Sequence, residues 1–134
     1  MRIGLTRLSP DRHRFEVLRG DGSRDVADLE TRSSLVHDLT HFTVEKVLGL
    51  QHAFFGSLAN GTTLAELNDR SRPWPEGSEL ARAESIVGPM QSHLSGRAVT
   101  LPPWPFVPEV EQRWRSVYGQ WKATPFHTTC WFVW

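Results

Sequence analysis

His37, Asp38, His41 and Glu45 stand in one short run, His-Asp-x-x-His-x-x-x-Glu, the one stretch of the chain that concentrates groups able to bind a metal or move a proton. Helix positions four apart differ in direction by only about 40°, so His37, His41 and Glu45 form one stripe over successive turns. Two neutral imidazoles and a carboxylate suit zinc, which in catalytic sites takes three protein ligands and keeps a fourth position open for water. Asp38 lies beside the first histidine, where a carboxylate can act as general base on metal-activated water or can hold an imidazole. Zinc or another divalent ion is therefore the expected cofactor. His37, His41 and Glu45 are the candidate ligands, and Asp38 is the candidate catalytic base.

This run partly resembles the His-Glu-x-x-His helix of the zinc metalloproteases. His37 and His41 match their paired ligands, and Asp38 matches the position of their general base with a side chain one methylene shorter. In those families the third ligand comes from beyond the helix, whereas Glu45 is on it, and three ligands along a straight helix do not easily surround one ion. A bend, a bridging water, or a ligand such as His52, His93 or His127 would resolve this, with Glu45 then orienting an imidazole. The His37-Asp38 pair also resembles the metal-dependent phosphohydrolases named for that dipeptide. Those proteins are helical throughout and draw ligands from several helices, which fits this chain poorly. The longer string from His37 to Leu50, with Phe54-Phe55-Gly56 and Thr63 to Leu67, resembles short bacterial proteins of unassigned function, a likeness that implies no activity.

The elements around the run can be read from period and punctuation. Arg2 to Leu8 and His13 to Leu18 alternate as strands about the turn formers Ser9-Pro10-Asp11, and Arg24 to Leu29 follows Gly20-Asp21-Gly22 as a third strand. From Ser33 the period becomes helical: Leu35, Leu39 and Phe42 share one side, while Val44 and Leu48 lie near the histidine stripe, so this helix is expected to pack on two sides. Ser33 or Ser34 can cap its start, and Gly49 is expected to weaken its end. A short helix over Ala53 to Leu58 is followed by Thr63-x-x-Glu66, the spacing of a capping box. A proline-bearing loop, Asp69 to Gly77, leads into a helix from Ser78 to Leu94 with Gly88-Pro89 as the expected point of a kink or split. Leu101 to Pro108 reads as an extended strap, the next helix starts near Pro108 with Val110, Trp114, Val117, Tyr118 and Trp121 as its apolar stripe, and Phe126 to Trp134 is a terminal strand.

These elements give an α+β fold of one domain, residues 1–134, with a small antiparallel sheet of three N-terminal strands and a C-terminal strand against about four helices. Fifteen basic and fifteen acidic residues leave no net field to attract nucleic acid or an anionic membrane. No segment is apolar and long enough for a span, and the single Cys130 cannot form an internal disulfide, so a cytoplasmic location is expected. Cys130 itself reads as a buried thiol rather than a nucleophile. Six tryptophans suggest a core of few, bulky pieces, or an aromatic wall for a ligand.

The expected function is a small metal-binding protein and, if an enzyme, a metal-dependent hydrolase acting on a small-molecule or peptide substrate. The alternative is a metal-free binding or interaction module in which the same residues form a structural hydrogen-bond network.

Overall fold

The computed structural model describes all 134 residues. Its first 30 residues form strands β1 (Arg2–Arg7), β2 (Arg12–Leu18) and β3 (Arg24–Glu30), each antiparallel to the one before. Leu5 lies opposite Phe15, and Ile3 opposite Val17, which puts the buried side chains of both strands on one face. The other face carries cross-strand ion pairs, Arg14 with Asp28 and Arg24 with Glu16. The terminal strand β4 (Thr129–Val133) returns to β1, completing the order β3-β2-β1-β4. Its entry is fixed by His127, whose φ of 61° makes a left-handed corner and lets its amide donate to the Arg7 carbonyl.

Five helices follow β3 and precede β4: α1 (Thr31–Leu48), α2 (Phe54–Ala59), α3 (Leu64–Leu67), α4 (Glu79–Leu94) and α5 (Val107–Ala123). Helix α1 starts at Thr31, two residues before the position expected from sequence, and neither Ser33 nor Ser34 caps it. Glu30 does so, accepting from the Arg32 and Ser33 amides at 3.2 and 2.8 Å, while both serine hydroxyls donate back to the Glu30 carbonyl. The strand thus runs directly into the helix. At its other end Gly49, at φ 66°, provides the left-handed cap.

The two-sided packing expected for α1 is present. Leu35, Leu39 and Phe42 join Ile3, Leu5, Phe15 and Phe132 in the sheet-facing core. Val44 faces away from the sheet into a second cluster with Ile86, Val87 and Met90 of α4 and Val110 of α5. Each large apolar side chain so buried contributes about 1.5–3 kcal/mol, enough for these two contacts to hold α1 between sheet and helices. The capping box at Thr63 is complete, with its side chain and that of Glu66 each accepting the other's amide. Helix α4 is capped by Ser78 and continues through Pro89 without splitting. The segment before α5 stacks Trp104 on Phe106 and packs on the second cluster, as a strap would. Of the six tryptophans, Trp114 and Trp121 are buried, while Trp74 is 47% exposed.

Short helix α2 is tied down from below and above. Buried Arg19 donates to the Leu58 and Thr62 carbonyls and pairs with Asp25, fastening the end of α2 to the β2–β3 turn. Gly56 lies so near the preceding loop that an added Cβ would meet the Gln51 carbonyl at 2.3 Å. No helix is long and apolar enough to cross a membrane.

Candidate metal centre

The site is built where α1 and α4 cross. His37 and His41, one turn apart, present their rings edge to face with centroids 4.7 Å apart. Glu84 comes from α4, and one ligand atom from each of His37, His41 and Glu84 lies within 4.8 Å of the others. That is a compact cluster of two imidazoles and a carboxylate, the donor set of a His2Glu zinc site.

Glu45 lies outside this cluster and is hydrogen-bonded to His41 instead. Its Oε1 accepts from His41 Nδ1 at 2.9 Å and from the Phe54 amide at 3.0 Å, and its Oε2 accepts from the Phe55 amide at 2.8 Å. The side chain is fully buried, and these three donors occupy it on the side of His41 away from Glu84. The first amides of α2 have no partner within their own helix, and no side chain of residue 53 caps them, so Glu45 serves as that cap from a distance. The three side chains that converge are thus His37, His41 and Glu84, with Glu45 on the far side of His41.

Fixing Nδ1 settles what Nε2 can do. His41 Nε2 lies 2.8 Å from Glu84 Oε1, so a proton held on the ring is shared between two carboxylates. Burial alone would lower the His41 pKa, but the hydrogen bonds and charges of Glu45 and Glu84 outweigh it and raise it to about 9. Burial works against the Glu84 carboxylate too, yet the same bond and the charges of His41 and His37 draw its pKa down. His37 is anchored in a similar way, with Nδ1 donating to Gln91 Oε1 at 3.0 Å, which leaves its Nε2 with a free lone pair. Gln91 is on α4, seven residues after Glu84, so both partners reach α1 from one stripe of that helix.

Asp38 and the three clustered residues line one cavity of about 610 Å³. Half-buried Asp38 has the apolar hollow formed by Leu5, Phe15, Phe42 and Phe55 on its other side. Loss of solvation pushes its pKa up to about 7 against the pull of the nearby His41 charge, and no hydrogen bond to the carboxylate offsets this. A carboxyl group poised near neutrality, facing a cavity, can take or give a proton.

The remaining histidines stay apart from this cluster. His93 pairs with Glu111 of α5, His52 approaches Asn60, and His127 makes the corner into β4. Cys130 is half-buried rather than fully buried, and burial raises its thiol pKa, which suits an inert side chain. Sequence reading missed Glu84 and Gln91. The available signal was that both border the apolar stripe of Leu80, Ala83, Val87 and Met90, where a polar residue on a core-facing edge asks for a partner. No protein-family model, curated protein or solved structure matches the chain.

Proposed function

We propose that this protein binds a divalent metal, zinc by donor chemistry, through His37, His41 and Glu84, and that it is a hydrolase working in the adjoining cavity. The convergence of three ligand atoms within 4.8 Å beside a cavity of about 610 Å³ carries this reading. Two further features support it. Glu45 and Gln91 each engage the Nδ1 of one histidine, the carboxylate-and-amide support that orients metal-binding imidazoles. A metal held by His37, His41 and Glu84 would take the place of the proton now shared by His41 and Glu84.

A bound zinc supplies a polarised carbonyl oxygen and an acidified water. The chain's own part is then to hold the imidazoles through Glu45 and Gln91, to present Asp38 as the proton acceptor, and to enclose the substrate. The test is zinc titration against a chromophoric chelator at pH 8. Wild-type protein should compete for one equivalent, E84Q should lose at least about tenfold in affinity, and an unchanged E84Q would remove Glu84 from the site.

One observation favours a second reading. With His41 protonated, the Glu45–His41–Glu84 chain is already fully hydrogen-bonded and ties α1 to α4 without a metal. A metal-free binding module built on that clamp would take no zinc in the same titration.

A further inference from the structure

The cavity above the cluster has a chemical asymmetry of its own. Its walls are apolar, with Phe15 and Ala27 from the sheet, Phe54 from α2, and Leu64 and Leu67 from α3. Its rim is the loop between α3 and α4, which contributes Arg70, Arg72 and Trp74. Arg70 has no acidic partner within ion-pairing distance, and Arg72 has only a 3.7 Å contact with Asp69 at a side chain 70% exposed. The Asp69 carboxylate lines the same rim and accepts from the amide and hydroxyl of Ser71, so two guanidiniums against one carboxylate leave the rim net positive. Trp74, nearly half exposed, is one of the few large apolar side chains left in water, and it stands at this mouth. A guanidinium without a partner and an exposed indole lining the same cavity offer a surface on which an anion and a flat apolar group can dock together.

We infer that the ligand of this cavity is a small amphipathic anion, an apolar or aromatic body carrying one carboxylate-type group that Arg70 and Arg72 receive at the rim. The inference rests on the hydrolase reading only for its choice of scissile group: the bond cleaved would be an amide or ester at the cluster end, with the apolar body along the walls. A cavity of about 610 Å³ accommodates a molecule of that size. The arrangement also assigns the two ends of the ligand, since the free guanidiniums stand only at the rim, whereas His41 at the cluster end is already engaged by both Glu45 and Glu84.

The test uses chelator-treated full-length protein, so that no metal can capture the probe's carboxylate. Binding of 4-phenylbutyrate and of its neutral counterpart 4-phenyl-1-butanol is measured by calorimetry or ligand-observed NMR in wild type, R70Q/R72Q and R97Q, whose exposed arginine lies outside the cavity. Expected is at least a tenfold preference for the carboxylate in wild type and in R97Q, lost in R70Q/R72Q with the alcohol's affinity unchanged. Equal binding of the two probes, no binding of either, or a preference that survives R70Q/R72Q would overturn the inference, the last by placing the anion away from the rim. Both arginines are exposed, so their replacement leaves the fold intact. Because zinc is absent throughout, failure of the metal proposal leaves this result readable.

Discussion

Glu45 stands behind His41, accepting its Nδ1–H at 2.9 Å while the same carboxylate takes the first two amides of α2. The candidate ligand is therefore held by a group that also anchors a neighbouring helix, and Glu45 and Glu84, though both touch His41, should respond differently to substitution. Removing Glu45 strands three buried donors, and E45A should cost about 3–5 kcal/mol, read as a lower urea midpoint. E84Q, at a side chain 29% exposed, should cost about 1 kcal/mol or less in the metal-free protein and act on metal affinity instead. Equal destabilisation by the two would mean that Glu84 is as structural as Glu45.

Protonation of His41 makes stability fall with rising pH. Its folded pKa of about 9 exceeds the ordinary 6.5, so its contribution is complete below pH 6.5 and is lost as pH climbs through 9. In metal-free protein the slope between pH 7 and 8.5 should approach about 1.4 kcal/mol per pH unit, and it should flatten in H41Q. Asp38 adds loss at lower pH, because its folded pKa of about 7 lies above the ordinary 3.8 and ionisation is disfavoured progressively from pH 4 upward. His13 runs the other way. Burial lowers its pKa to about 4, so its contribution is present above pH 6.5 and disappears as pH falls toward 4. Urea titrations at half-unit pH steps on wild type, H41Q and D38N separate the three.

Metal and proton compete for the same nitrogen of His41. Zinc affinity should therefore rise about tenfold per pH unit between pH 7 and 8.5, with one proton released per zinc. Calorimetry in buffers of different ionisation enthalpy counts that proton. Binding without proton release would place the metal away from His41.

Gln91 touches the site through His37 alone. Q91A should weaken zinc binding about 10–100-fold while moving the urea midpoint little, because the residue is only half-buried. A large stability loss with unchanged zinc affinity would make the His37–Gln91 bond a helix-packing contact.

Gly56 is required by the approach of α2 to the loop before it. G56A would press a Cβ onto the Gln51 carbonyl, and since helices resist such overlap by shifting, a loss of about 1–3 kcal/mol is expected. The shift would also disturb the Phe54 and Phe55 amides held by Glu45, so thermal melts of G56A should show destabilisation beyond that of the exposed control A65G.

The legible parts of this fold were those set by local period. Leu35, Leu39 and Phe42 announce a helix face, Thr63 and Glu66 announce a cap, and the aromatic, β-branched ending announces β4, because each signal acts within a few residues. The start of α1 was misread because glutamate is not a usual cap, and only the uninterrupted passage from β3 puts Glu30 in that position. Half of the site was legible for the same reason: His37, Asp38 and His41 share one helix and do face one cavity. The other half was not. Glu84 lies 43 residues from His41, and its approach depends on Val44 packing against Ile86 and Val87, a choice between helices that no local spacing encodes. Glu45 was placed on the correct stripe, but its role was decided by α2 folding back to offer two free amides.

The most direct test of a metal centre at His37, His41 and Glu84 is metal content by mass spectrometry. The samples are untagged protein purified without chelator, with E84Q and the H37A/H41A double variant beside it, each before and after zinc is added back. Near-stoichiometric metal in wild type, a reduced amount in E84Q and none in the double variant is the expected result. No metal in wild type even after reconstitution would contradict the proposal and leave the Glu45–His41–Glu84 chain as a structural clamp.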